Sequence, residues 1–133
     1  LLNYMLKYKI PQIVTLIRKK ENKGMLGSFE ALLNDYFVSD KPAERGTLTV
    51  AYCADQLNLS ANYFGDLIKK ETGVSAQEYI LTKIMDRAKE LLTDPAKSVG
   101  DVAYALGYQY PQYFSKAFKR VVGCSPNEYR TLS

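Results

Sequence analysis

Tyr63-Phe-Gly-Asp-Leu-Ile-Lys-Lys-Glu-Thr-Gly-Val-Ser-Ala-Gln-Glu-Tyr79 and Tyr113-Phe-Ser-Lys-Ala-Phe-Lys-Arg-Val-Val-Gly-Cys-Ser-Pro-Asn-Glu-Tyr129 are two versions of one pattern. At an offset of 50, seven of the seventeen positions are identical: Tyr63/Tyr113, Phe64/Phe114, Lys69/Lys119, Gly73/Gly123, Ser75/Ser125, Glu78/Glu128 and Tyr79/Tyr129. Upstream the offset becomes 49, pairing Val50 with Val99, Ala54 with Ala103 and Leu57 with Leu106. The second copy therefore has one extra residue between its halves. An internal duplication of a unit of about fifty residues accounts for both offsets.

Each unit spells helix, tight turn, helix. Val50, Ala54 and Leu57 recur at i, i+4, i+7, which is one face of a short helix. Asn58 follows, a residue that tolerates the left-handed conformation needed to leave that helix, and Gly107 takes the same place after Leu106. The next helix starts at an N-cap Ser60 and stops at Gly73, and its copy runs from about Pro111 to Gly123. Small Ala54 and Ala103 permit a close helix crossing. The pair is best described as a helix-turn-helix.

Both units close on Ser-x-x-Glu, Ser75 to Glu78 and Ser125 to Glu128, the spacing of a capping box. The first box opens a helix predicted over 76–92, with Ile80, Ile84, Ala88 and Leu91 on one face. The second opens a short terminal helix through Tyr129, and Ser98 with Asp101 caps the second unit in a similar way. Upstream, Phe29, Leu32, Leu33, Tyr36 and Phe37 form a helical stripe predicted to start at Ser28, and 40–46 is expected as a polar loop. The fold class is all-α, with no segment competing as a strand.

Composition narrows the function. The 133 residues suit one domain with a fragment of another, and the chain contains no histidine. That excludes Ser-His-Asp and Cys-His nucleophiles and every imidazole-dependent zinc site. Cys53 and Cys124 are too far apart in sequence for a Cys-x-x-Cys pair. They are expected to be reduced, Cys53 in the core and Cys124 partly exposed. No nucleophile-base pair, phosphate loop or metal cluster is visible, so no enzymatic activity and no cofactor are expected. The first stretch, 1–10, is too short and too charged to span a bilayer. The net charge of +4 is uneven. Residues 1–27 carry six Lys/Arg (Lys7, Lys9, Arg18, Lys19, Lys20, Lys23) against Glu21, leaving 28–133 at −1. Overall basicity therefore does not argue for nucleic acid, and local patches must decide.

The second helix of each unit carries the patch. With Phe64, Leu67 and Ile68 facing the core, Asn62, Gly65, Asp66, Lys69 and Lys70 point outward. In the copy, Phe114, Ala117 and Phe118 face in, and Gln112, Ser115, Lys116, Lys119 and Arg120 point out. Asn and Gln match the adenine edge and Lys the guanine acceptors, while cations further along reach phosphates. Local charge is −1 over 48–73 and +3 over 106–133, so the second unit is expected to dominate attraction to DNA. The repeated Tyr63, Tyr79, Tyr113 and Tyr129 suit packing at helix ends better than stacking on bases.

Ala103-Tyr-Ala-Leu-Gly-Tyr108, then Tyr113-Phe-Ser-Lys-Ala-Phe-Lys-Arg120 and Gly123-Cys-Ser-Pro-Asn-Glu-Tyr-Arg130, resemble the DNA-binding domain of the AraC/XylS family of bacterial transcription regulators. The resemblance covers 28–131. It implies a homeodomain-like, seven-helix architecture. Two tandem helix-turn-helix units, about 49–73 and about 99–123, are joined by a long connecting helix, about 76–92. The DNA-binding domain is then 28–133. Residues 1–27 become an N-terminal helical tail, the end and linker of a missing effector and dimerisation domain. Implied partners are double-stranded DNA, RNA polymerase and a second copy of the chain, in a cytoplasmic regulator or activator with no membrane attachment. Base-facing positions carry over to Asn62, Gly65 and Asp66, and to Gln112, Ser115 and Lys116 with Pro111 and Tyr113 alongside. Ser60, Lys69, Lys70, Lys119 and Arg120 complete the DNA-contact set. The chain departs from the family at Gly65, which offers no side chain, at Asp66, which phosphate repels, and at Ile84, where the family often has Arg. The rival class is a helical protein-interaction module using the same face without reading DNA, favoured by the −1 balance of 28–133.

Overall fold

A computed structural model describes the backbone of residues 10–39 and 41–132, and side chains from residue 24 onward apart from 40, 43, 44 and 133. The described residues form α1 (Ile10–Val38), α2 (Lys41–Arg45), α3 (Val50–Gln56), α4 (Ala61–Thr72), α5 (Ala76–Leu92), α6 (Val99–Ala105), α7 (Pro111–Val122) and α8 (Pro126–Leu132). No strand occurs among them. The seven implied helices are present, the first as the C-terminal part of α1, and α2 is an additional turn. The basic cluster from Lys7 to Lys23 and the 1–10 stretch fall outside the residues whose side chains are described.

Helix α5 is the axis of the molecule: it packs against α3 and α4 on one side and α6, α7 and α8 on the other. Its buried stripe, Ala76, Ile80, Ile84, Met85, Ala88 and Leu92, joins both units into one continuous core with Phe64, Ile68, Phe114 and Phe118. Each fully buried Phe contributes about 1.5–3 kcal/mol by leaving water. Ring contacts add directionality: Phe29–Phe64 is edge-on at 5.0 Å and Phe118–Tyr129 at 5.7 Å. No polar or charged residue is buried among those described.

The turns follow the residues placed in them. Asn58 has φ 58 and Gly107 φ 93, the left-handed conformation that lets each short helix stop at its leucine. At Gly107 a side chain is excluded twice over, because a Cβ there would lie 2.5 Å from the Gly46 carbonyl oxygen. The recognition-type helices α4 and α7 both end on a left-handed glycine whose N–H reaches back four residues, Gly73 to Lys69 at 2.8 Å and Gly123 to Lys119 at 2.9 Å.

Four expectations need correction. Helix α1 does not start at Ser28 but runs unbroken for 29 residues from Ile10, so the stripe Phe29, Leu33, Tyr36 is the docked end of a longer rod. Gly24 and Gly27 weaken a helix by about 1 kcal/mol each without stopping it. The expected loop at 40–46 contains α2, because Pro42 sits in a first helical turn where no N–H is needed. The Tyr36 hydroxyl donates to the Gly46 carbonyl at 2.6 Å and holds that turn against α1. The Ser75 box is half made: the Ser75 hydroxyl accepts from the Glu78 amide at 3.1 Å, but the Glu78 carboxylate turns to Arg120 at 3.6 Å. Ser98–Asp101 and Ser125–Glu128 are complete boxes. Finally, α8 continues past Tyr129 to Leu132.

Candidate nucleic-acid interface

Helices α4 and α7 each bury one stripe and leave the opposite one free. Phe64 and Ile68 are buried on α4, and Phe114 and Phe118 on α7. Because 3.6 residues make a turn, the outward stripes are Asn62, Gly65, Asp66, Lys69 and Lys70, and Gln112, Ser115, Lys116, Lys119 and Arg120. All of these are exposed except Gly65 and Ser115, which are half-buried, and Leu67 is half-buried rather than fully in the core. Both helices pack on α5: α4 leads into its N-terminus through Gly73, and the C-terminal end of α7 reaches its first turn, where Arg120 lies 3.6 Å from Glu78.

Charge differs sharply between the two stripes. Asp66 and Lys116 occupy equivalent positions in the repeat yet carry opposite sign. Lys119 and Arg120 close α7 as Lys69 and Lys70 close α4, where cations also complement the helix dipole. Arg120 is shared with Glu78 of α5 at 3.6 Å, both side chains more than half exposed. Arg130, counted with the basic surplus of the second unit, faces elsewhere. Its guanidinium donates to the Leu92 carbonyl at 3.1 Å and the Lys97 carbonyl at 2.6 Å, tying α8 to the end of α5.

Lys83, one residue before Ile84, is likewise occupied. It lies 3.3 Å from Glu30 and over the Tyr79 ring at 5.3 Å, while the Tyr79 hydroxyl donates to Glu30 at 2.9 Å. That hydroxyl, with Lys83, holds the Glu30 carboxyl below its ordinary range. The cluster fastens α1 to α5. Burial pushes the Cys53 thiol up to about 11, which suits an inert packing residue. Cys124 is half-buried and free.

The helix starts reveal what sequence reasoning missed. Ser60 caps α4, its hydroxyl accepting from the Tyr63 amide at 3.1 Å. Tyr110 stands at the same place before α7 and makes no side-chain cap bond. Tyr79 and Tyr129 pack as expected, but Tyr63 and Tyr113 are 56% and 60% exposed and do not. Tyr110 is also exposed, its ring edge-on to Tyr113 at 5.6 Å. A tyrosine in place of a capping serine was the available signal. Among the described residues no group of three or more potential metal ligands comes together, and no helix is long and apolar enough to cross a membrane.

Comparison with known proteins adds an independent line. Residues 53–131 match the family described as a helix-turn-helix domain. The Msm operon regulatory protein of Streptococcus mutans is 38% identical over 84 residues, covering 63% of this chain and 30% of that protein. The C-terminal domain of AraT, a response regulator from Geobacillus stearothermophilus, has TM-score 0.69 at 30% identity, over 82% of this chain and 85% of that one. The DNA-binding domain of AdpA, a global transcriptional factor solved with a target DNA, has TM-score 0.65 at 24% identity, covering 80% and 90%. That last likeness is one of fold. The chain spans about a third or less of the length of the first curated relatives it matches.

Proposed function

The chain belongs to the AraC-type helix-turn-helix domain family, and from that premise we propose that it binds double-stranded DNA sequence-specifically as a transcription regulator, inserting α4 and α7 into successive major grooves. One observation carries this reading. Two helices of the same build, each with a free polar stripe, flank a single 17-residue helix that fixes their separation. At 1.5 Å per residue α5 is about 26 Å long, a rigid connector of the scale needed for two stripes to meet major grooves that repeat roughly every 34 Å.

Under this proposal Asn62, Gly65, Asp66, Gln112, Ser115 and Lys116 face base edges. Lys69, Lys70, Lys119 and Arg120 meet phosphates, and Ser60 offers its hydroxyl proton beside them. Asp66 accepts from cytosine N4, an amino donor that suits a carboxylate in the major groove. Residues 1–27 form the tail and linker of an effector and dimerisation domain, through which a homodimer assembles, and RNA polymerase is a partner of the promoter-bound form. The protein acts in the cytoplasm, without catalysis of its own.

The −1 balance of 28–133 favours the protein-interaction reading instead. Selection of bound sequences from a random duplex pool, followed by salt titration, separates the two. The DNA reading expects one enriched motif and a loss of about 0.9 log units of affinity per log unit of salt for each phosphate neutralised. Binding without sequence enrichment or salt dependence would favour the protein module.

A further inference from the structure

The start of α7 is built differently from the start of α4: its Tyr113 amide donates to the Tyr110 carbonyl at 3.1 Å rather than to a capping side chain. Ser60 bonds the first turn of α4, while Tyr110, its counterpart at offset 50, leaves the equivalent turn of α7 without a side-chain cap. Pro111 at the first helical position compensates in part, since its fixed φ suits the helix. The ring placed there instead is 47% exposed and lies edge-on to Tyr113, which is 60% exposed, with ring planes at 83°. Aromatic rings exposed side by side, one of them at a position where the other copy has a capping serine, point to a surface that meets something.

The position of the pair identifies the occupant. Tyr113 shares its stripe with Lys116 and Arg120, three and seven residues on, so the rings lie at the N-terminal end of the face assigned to DNA. A base edge that offers an apolar group in the major groove is thymine, through its C5 methyl. We propose that Tyr110 and Tyr113 form an aromatic wedge that reads a thymine methyl, with Tyr113 in contact and Tyr110 as the positioning residue that holds its ring. This rests on the DNA reading above. The first unit has Tyr63 without a ring partner at Ser60, so the wedge belongs to the second sub-site alone.

The test uses the full chain and its selected duplex, with each thymine of the second sub-site replaced in turn by deoxyuridine. At one thymine, loss of the methyl should weaken wild-type binding by about fourfold, the worth of one buried carbon. Tyr110→Ser should abolish that ratio while keeping or raising the thermal midpoint, because serine caps the helix. Tyr110→Phe should preserve the ratio, because the ring rather than the hydroxyl does the positioning. Salt-sensitive binding with no methyl effect at any thymine, or an unchanged ratio in Tyr110→Ser, would overturn the wedge alone. Failure of the wild-type chain to bind any duplex would overturn the DNA reading and the wedge with it.

Discussion

Gly107 presses against Gly46 so closely that a Cβ at 107 would stand 2.5 Å from the Gly46 carbonyl oxygen and 2.7 Å from the Thr47 amide nitrogen. The turn of the second helix-turn-helix thereby rests on the strap that leads into the first. Tyr36 holds the other side of that strap through the same Gly46 carbonyl. One backbone contact thus joins α1, the α2–α3 connection and the second unit.

Gly107→Ala should therefore destabilise the fold by about 2–5 kcal/mol, combining left-handed strain with a clash against backbone that cannot move aside. Asn58→Ala, the matched change in the first unit, should cost only about 1–2 kcal/mol, since it meets the conformational penalty without the clash. Urea denaturation of both variants checks this. Equal losses would mean that the Gly107 contact relaxes freely.

Charge should separate the units. Lys116→Ala should relax preference at one base pair by about 1–3 kcal/mol, whereas Lys119→Ala should weaken all duplexes alike and lower the salt slope by about one. Lys69→Ala should do less, because Asp66 already opposes phosphate on α4. Equal losses from Lys69→Ala and Lys119→Ala would contradict dominance of the second unit.

Glu78 restrains Arg120 through a weak, exposed ion pair of at most about 1 kcal/mol. Glu78→Gln should leave stability nearly unchanged, strengthen binding to every duplex by about two- to fivefold and steepen the salt slope. Titration against matched and random duplexes would show it. Unchanged affinity for both would mean that Arg120 meets no phosphate.

The attachment of α1 should be acid-sensitive. Glu30 has its carboxyl lowered by the Tyr79 hydroxyl and by Lys83, so its contribution is complete above the unfolded value of 4.5 and is lost as pH falls through the lower folded value. The stability gap between wild type and Glu30→Gln should be constant near neutrality and shrink below about pH 4. A gap that stays constant to pH 2 would remove Glu30 from the attachment.

What the sequence disclosed, and what it hid, divides along contact distance. The repeat, the left-handed Asn58 and Gly107, and α5 from Ser75 to Leu92 were legible because caps, turns and periodicity are local. The outward stripes followed from the same period. Hidden were contacts between residues far apart in the chain, such as Arg130 with Leu92, Glu78 with Arg120, and Glu30 with Lys83 and Tyr79. The start of α1 misled because Ser28 resembles an N-cap, while Gly24 and Gly27 weaken a helix without ending it. Four recurring tyrosines looked equivalent, and only tertiary packing separates half-buried Tyr79 and Tyr129 from exposed Tyr63 and Tyr113.

The central claim is that one chain presents two recognition helices at a distance fixed by α5. The most direct measurement is the affinity of the monomeric chain for its selected site with base pairs inserted between the two sub-sites. Five inserted pairs rotate one sub-site about half a turn away, and affinity should fall to that of a single unit. Ten pairs restore the facing but add about 34 Å that a rigid helix cannot span, so affinity should stay low. Undiminished binding with both insertions would contradict a fixed two-groove grip.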